Sequence, residues 1–96
     1  MTAVYPVVFT KTENGYVAHV PDLGIDTQGS DLAEAIFMAR DAIGLMGIDM
    51  LDDGYELPCP SDFSAVSHGH DDLVSVVDID FDAYRRAHDL SLKNLA

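Results

Sequence analysis

The chain has 96 residues, which is enough for one domain with a thin hydrophobic core. Seventeen acidic and five basic residues give a formal net charge of −12, which opposes direct nucleic-acid binding and favours a basic partner. The single cysteine excludes an internal disulfide, and no apolar stretch reaches the roughly 18–20 residues needed to span a bilayer. We therefore expect a cytoplasmic protein, although the acidity is equally compatible with a role in solubility alone.

Three extended segments occupy the first third of the chain. Residues 3–11 (AVYPVVFTK) are rich in β-branched and aromatic residues, residues 16–20 (YVAHV) resume an extended pattern, and residues 25–28 form a short third strand. The Asn14-Gly15 pair between the first two segments suits a tight hairpin. Pro6 cannot donate a ladder hydrogen bond, so we expect it at a sheet edge or near the start of its strand. The pattern predicts a three-stranded antiparallel meander.

A helix is predicted to follow the meander. Ser30 or Asp31 can cap it, Asp31 and Glu34 suit the positive end of its dipole, and Gly47 suits its C-terminal stop. Its core-facing stripe has helical spacing and consists of Leu32, Ala35, Ile36, Ala39, Ile43 and Met46.

The remainder of the chain is predicted to close the domain. Residues 48–72 are loop-like, residues 73–79 (LVSVVDI) are apolar on both faces as in an inner strand, and residues 82–88 form a short helix. The fold class is therefore α+β with the order β-β-β-α-β-α. After a crossover helix, we expect the fourth strand to lie parallel to the first.

The sequence shows little sign of catalytic chemistry or of a bound cofactor. Four aspartates near strand ends could bind Mg²⁺, although aspartate is also common at such positions. They are Asp22, Asp26, Asp78 and Asp80. His68 and His70 have the residue types of a metal site but lie in one loop, and Cys59 has no neighbouring base to activate it. We predict a binding protein without cofactor or metal and keep a divalent-metal nuclease as the weaker alternative.

Several stretches together resemble the HicB antitoxin family. They are YPVVF, GYVAHVPDL, TQGSDLAEAIFMARDAI, LPCPS and VSVVDIDFDAYRR, in this order over about residues 4–86. The resemblance implies a partial RNase H-like fold, whose β-β-β-α-β order agrees with the order found above from periodicity and turns. It assigns residues 1–86 to an antitoxin domain.

The resemblance also implies a function. HicB-like proteins neutralise HicA toxins, small basic proteins that cleave mRNA, by binding the toxin and covering its active site. This chain is accordingly expected to be the antitoxin of a type II toxin–antitoxin system; an orphan protein-binding module of the same fold is the alternative. We place the partner-binding surface at Tyr16, Asp22, Asp26, Asp31 and Glu34.

One departure from the family concerns the C-terminus. Many members continue into a helix-turn-helix or ribbon-helix-helix domain that binds operator DNA, whereas only residues 87–96 follow the last predicted helix here. This tail is too short for either domain, and residues 91–94 could be the start of a missing one. We therefore expect no direct nucleic-acid binding by this chain.

Self-association is expected because the apolar surface exceeds what one helix can cover. Phe37, Met38 and Leu45 fall outside the core-facing stripe, and we assign them to a homodimer or a higher homo-oligomer. In the alternative, the 48–72 loop folds back as a lid. The apolar residues available to such a lid are Leu51, Tyr55, Leu57 and Phe63.

Overall fold

The computed structural model describes residues 1–88, which form four strands, two α-helices and one short 3-10 turn. The elements are β1 (Thr2–Thr12), β2 (Gly15–Val20), β3 (Ile25–Gly29), α1 (Leu32–Asp52), the 3-10 turn (Phe63–Ala65), β4 (Leu73–Asp80) and α2 (Phe81–Ala87). The strands form one antiparallel sheet in the order β3-β2-β1-β4. The α+β class and the predicted order of elements are confirmed. Most of the predicted C-terminal tail, from residue 89 onward, lies outside the described residues.

The prediction that the fourth strand lies parallel to the first is wrong. β4 runs antiparallel to β1, with Phe9 opposite Leu73 and Thr2 opposite Asp80. The reason is the path of the chain after α1. The helix begins at the end of the sheet that holds the β1–β2 hairpin turn, called the hairpin end below, and it finishes at the opposite end of the sheet. The 53–72 segment then returns the chain to the hairpin end. This second crossing reverses the direction in which β4 enters the sheet.

The prediction that β4 is an inner strand is also wrong, because β4 lies at the edge of the sheet with β1 as its neighbour. The inner strands are β2 and β1, although β1 contains Pro6. Its pairing with β2 covers Val8–Thr12, so Pro6 lies beyond the end of β2 and costs no ladder hydrogen bond on that side.

The start of α1 follows from reciprocal side-chain caps. The Asp31 carboxylate accepts from the backbone N–H of Glu34, and the Glu34 carboxylate accepts from the backbone N–H of Ser30, each at 2.8 Å. These bonds satisfy amide groups that have no partner within the helix. The predicted cap is confirmed.

The predicted stop of α1 at Gly47 is wrong, since the helix continues to Asp52. Gly47 is buried, and a Cβ added there would lie 2.4 Å from the Phe81 ring. At Gly44 the added Cβ would lie 2.6 Å from the Tyr84 ring. Both glycines therefore allow α2 to approach α1 closely, and neither ends the helix.

The core lies between the sheet and the two helices. From α1 it contains Ala35, Ala39 and Ile43 of the predicted stripe, whereas Met46 is 37% exposed. The other buried members come from three strands and from α2. They are Tyr5, Val7, Phe9, Ala18, Val20, Val77, Ile79 and Phe81, and α1 adds Ile48 beyond the predicted stripe.

The sheet face away from α1 is covered only in part. Pro6 and Val8 on this face are buried, whereas Val4 and Val76 are exposed. The 53–72 segment is held against the domain: the Tyr5 hydroxyl donates to the Pro58 carbonyl at 2.7 Å, and Val66 is buried.

The 53–72 segment therefore acts as the alternative lid only in part. Leu51 and Leu57 are half-buried, but Tyr55 and Phe63 are exposed.

Within residues 1–88, no helix is long and apolar enough to cross a membrane.

The close contact at Gly47 gives a stability prediction. Gly47→Ala should destabilise the protein by about 1–3 kcal/mol through overpacking against the buried Phe81 ring, although alanine favours the helix by about 1 kcal/mol. In a Phe81→Ala background the clash is absent, so the same change should be neutral or stabilising. Urea unfolding of the four proteins in this cycle measures the effect. A destabilisation of the same size in both backgrounds would contradict the packing explanation.

Candidate functional site

An open cleft of about 650 Å³ lies at the hairpin end of the sheet, beside the N-terminus of α1. It brings together two residues of the predicted partner-binding set, Tyr16 and Glu34. The rest of its lining is polar or small apart from two apolar residues. These other residues are Thr12, Asn14, Val17, Gln28, Gly29, Ser30 and Met38.

The carboxylates at this end combine a structural role with exposure to solvent. Asp31 and Glu34 each accept a capping hydrogen bond, and both are exposed. An ionised carboxylate has about four lone-pair sites, so one capping bond leaves capacity for donors from another molecule. Tyr16 is half-buried beside them, with an apolar ring and a hydroxyl group. This arrangement suits a basic protein surface better than a small ligand.

The other two predicted partner-binding residues lie elsewhere. Asp22, in the turn between β2 and β3, accepts from the backbone N–H of Ser61 at 2.8 Å and from the Ser61 hydroxyl. Asp26 lies 2.7 Å from the His19 ring, opposite it in the β2–β3 ladder. The structure thus places the five residues in three regions, and their role in partner binding stays a prediction.

A second cleft, of about 340 Å³, lies between α1, α2 and the end of β4. Its polar centre is Asp41, which accepts from the Tyr84 hydroxyl at 3.0 Å and lies 3.6 Å from the His88 ring nitrogen. The Tyr84 and His88 rings stack with their centroids 4.0 Å apart. Burial, followed by the bond to Asp41, raises the pKa of Tyr84 to about 12. Sequence reasoning missed this network because its members are 43 and 47 residues apart and share no spacing rule.

Two arginines are paired with acidic residues of other elements. The Arg40 guanidinium donates to the Asp78 carbonyl at 2.8 Å and to its carboxylate at 3.1 Å. The Arg85 guanidinium bonds to Asp52 at 2.8 Å and lowers the pKa of that carboxyl group. These bonds join β4 and α2 to α1 and add no basic surface.

The residues of the nuclease alternative are used by local structure. Asp22, Asp26 and Asp78 have the partners given above, and Asp80 caps α2 by accepting from the backbone N–H groups of Asp82 and Ala83. In the part of the chain described, no three His, Cys, Asp or Glu side chains are grouped so that they could hold a metal ion.

His68 and His70, the two loop residues of metal-site type, also have separate contacts. His68 contacts the Gly69 carbonyl at 2.9 Å, and the fully exposed His70 lies 4.0 Å from Asp71.

The residues assigned to self-association lie on the outer surface of α1. Phe37 and Leu45 are exposed, whereas Met38 is half-buried and lines the hairpin-end cleft. Their role in self-association stays a prediction.

Comparisons with known proteins give a consistent result. A family model described as the HicB-like antitoxin of bacterial toxin–antitoxin systems matches residues 5–90. A curated relative, an uncharacterized 14.9 kDa protein in the rep–hol intergenic region of Haemophilus phage HP1, is 36% identical over 81 residues. That alignment covers 80% of this chain and 61% of the relative, so the chain spans less than two thirds of the relative's length.

Two solved structures share the fold. One is a chain of a toxin–antitoxin complex from Streptococcus pneumoniae, with a TM-score of 0.77 and 28% identity over 88% of this chain and 73% of that chain. The other belongs to a HicA3 and HicB3 toxin–antitoxin complex, with a TM-score of 0.64 and 24% identity over 81% and 99% of the two chains. The fold and the family match define an antitoxin domain. The chain belongs to the HicB-like antitoxin family of bacterial toxin–antitoxin systems.

The Asp41–Tyr84 bond predicts a loss of stability in alkali. Because the pKa of Tyr84 is raised in the folded state, the bond contributes fully below the ordinary tyrosine value of about 10. Its contribution is lost as the pH rises from about 10 to about 12. Over this window the free energy of unfolding should fall more steeply for the wild type than for Tyr84→Phe. Urea unfolding at several pH values checks the slope, and parallel curves for the two proteins would contradict the prediction.

Proposed function

We propose that this chain neutralises a small, basic, HicA-like toxin that cleaves mRNA, by binding the toxin and covering its active site. Membership of the HicB-like family is the observation that carries this proposal. The net charge of −12 supports it, because opposite charges draw the partners together before contact. We place the complex in the cytoplasm and assign this chain a binding role without catalysis of its own.

We further propose that the toxin contacts the hairpin-end cleft. The exposed carboxylates of Asp31 and Glu34 have lone pairs free to accept from basic side chains of the toxin. Tyr16 adds a ring that can pack against the aliphatic part of those basic side chains. Asp22 holds the 53–72 segment through Ser61, and Asp26 contacts His19. These two carboxylates add to the negative charge that attracts the toxin. Direct contact with the toxin is assigned to Tyr16, Asp31 and Glu34.

The first test is the salt dependence of toxin binding. The chain is mixed with a small basic protein of the HicA type, and affinity and association rate are measured by titration calorimetry and stopped flow. A tight complex is expected, with an association rate that falls about tenfold or more between low and high ionic strength, because salt screens the attraction. No heat of binding and no complex on a sizing column would refute the proposal.

The second test locates the contact surface. Glu34→Gln keeps a side-chain acceptor for the cap and removes one negative charge, and Glu56→Gln removes the same charge from the exposed segment after α1. We expect Glu34→Gln to weaken toxin binding by several fold and Tyr16→Ala by about tenfold or more, whereas Glu56→Gln should have little effect at physiological salt. Equal losses for the two glutamine variants would show that net charge matters and that the cleft does not.

A further inference from the structure

The outer face of α1 presents acidic and apolar residues in alternation. Residues three or four positions apart lie on the same side of a helix, so this face has a single line of side chains, called the outer stripe below. It consists of Glu34, Met38, Asp41, Leu45 and Asp49. Successive acidic members are about two helical turns apart, with one apolar member between them, and the stripe is about 22 Å long.

Two large apolar side chains of this face are open to solvent. Leu45 in the outer stripe is 55% exposed, and Phe37, which flanks the stripe, is 62% exposed. The side of α1 that packs on the sheet is the opposite one, where Ala35, Ala39 and Ile43 are buried. Leu45 and Phe37 therefore add little to the core of the domain.

The outer stripe is negatively charged along its whole length. Arg40, the one basic residue of α1, turns to β4 and donates to Asp78. Glu34 and Asp41 each accept a hydrogen bond within the domain and keep further lone pairs. In the described part of the chain, the Asp49 carboxylate has no hydrogen-bond or ion-pair partner. The stripe can thus accept several hydrogen bonds from a cationic surface.

A second copy of the chain fits this face poorly. The outer stripe is nearly symmetric about Asp41, with Glu34 and Asp49 at its ends and Met38 and Leu45 between them. Antiparallel packing of two copies would therefore set carboxylates against carboxylates, which repel each other. Nucleic acids and anionic membranes are repelled for the same reason. The complementary partner is a basic protein surface with apolar residues in it.

The toxin needs more of this chain than the hairpin-end cleft offers. Nine residues line that cleft, whereas a standard protein interface has roughly 20–30 residues on each side. Glu34 and Met38 line the cleft and also begin the outer stripe. The stripe therefore continues the cleft along α1, and one partner can contact both.

We propose that the outer stripe binds a basic amphipathic helix of the toxin. In this helix, basic residues recur every two turns and contact the carboxylates of Glu34, Asp41 and Asp49, and the apolar residues between them pack on Phe37 and Leu45. Two helices whose side chains repeat at the same spacing can interdigitate along their length. The inference rests on the proposed function and adds the element of the toxin that this face recognises.

The experiment is titration calorimetry of the chain and its variants with a small basic protein of the HicA type, at physiological salt. Phe37→Ala and Leu45→Ala should each weaken binding by about tenfold, and Asp49→Asn by several fold. The matched controls are Phe63→Ala and Asp71→Asn, which make the same changes at exposed sites outside α1. Both controls should bind within about twofold of the wild type.

A second measurement tests that the partner element is a helix. Amide hydrogen exchange of the bound toxin should slow at least tenfold along one helix, and this protection should be lost with the Leu45→Ala variant. Methyl resonances of Met38 and Leu45 should shift on binding. Protection confined to a strand or a loop of the toxin would contradict the inference.

The possible failures are distinguishable. If the three α1 variants bind as tightly as the two controls, the outer stripe is not a toxin contact, and the proposed function is unaffected. If the wild type does not bind at all, the proposed function and this inference are both wrong. A Leu45→Ala variant that binds the toxin normally but loses self-association in sedimentation equilibrium would assign this face to a second copy.

Discussion

The contact between α1 and the sheet is the interaction on which the rest of the structure depends. Ala35 and Ala39 face the sheet with side chains of one carbon atom, and Gly44 and Gly47 have none where α2 packs. Small residues let the helix lie close to both neighbours, so a single helix of 21 residues joins the sheet and α2 into one core. Both α-helices of the described chain then lie on one side of the sheet. The opposite face must be covered by the irregular 53–72 segment or by another molecule.

That segment also decides the topology. Its two anchors, Tyr5 to Pro58 and Asp22 to Ser61, hold it at the end of the sheet where α1 finishes. From there the chain must return along the sheet before β4 begins, and β4 therefore runs against β1. The same return path leaves β4 as an edge strand. The edge position of β4 is thus a consequence of the loop path more than of the local sequence of that strand.

These relations explain how far the sequence could be interpreted. Caps and turns depend on residues a few positions apart, which is why the start of α1 at Asp31 and the β1–β2 hairpin were predicted correctly. The direction of β4 depends on a loop of about twenty residues whose anchors are long-range and have no local pattern. Gly47 was misread as a stop because glycine serves helix ends and close helix contacts alike, and only the position of Phe81 distinguishes the two. The two-sided apolar pattern of residues 73–79 suggested an inner strand, but in this edge strand Val77 and Ile79 face the core while Val76 is exposed.

The prediction of the candidate site from the sequence was limited in the same way, because different roles of a carboxylate share one local pattern. A carboxylate that caps a helix, anchors a loop or binds a partner looks identical in sequence, and the five predicted residues include all these environments. Asp31 and Glu34 stand at a helix start, Asp22 anchors a loop, and Asp26 faces His19. The network of Asp41, Tyr84 and His88 could not be inferred at all, because α2 has to dock on Gly44 before its members meet.

The acidic charge acts on two length scales. At short range, carboxylates such as Asp31 and Asp80 satisfy backbone amides at the starts of both helices, which is a structural use of each individual group. At long range the surplus of twelve negative charges acts as a single field that attracts cations and repels other copies of the chain. Raising the ionic strength screens the charges and weakens both effects of this long-range field.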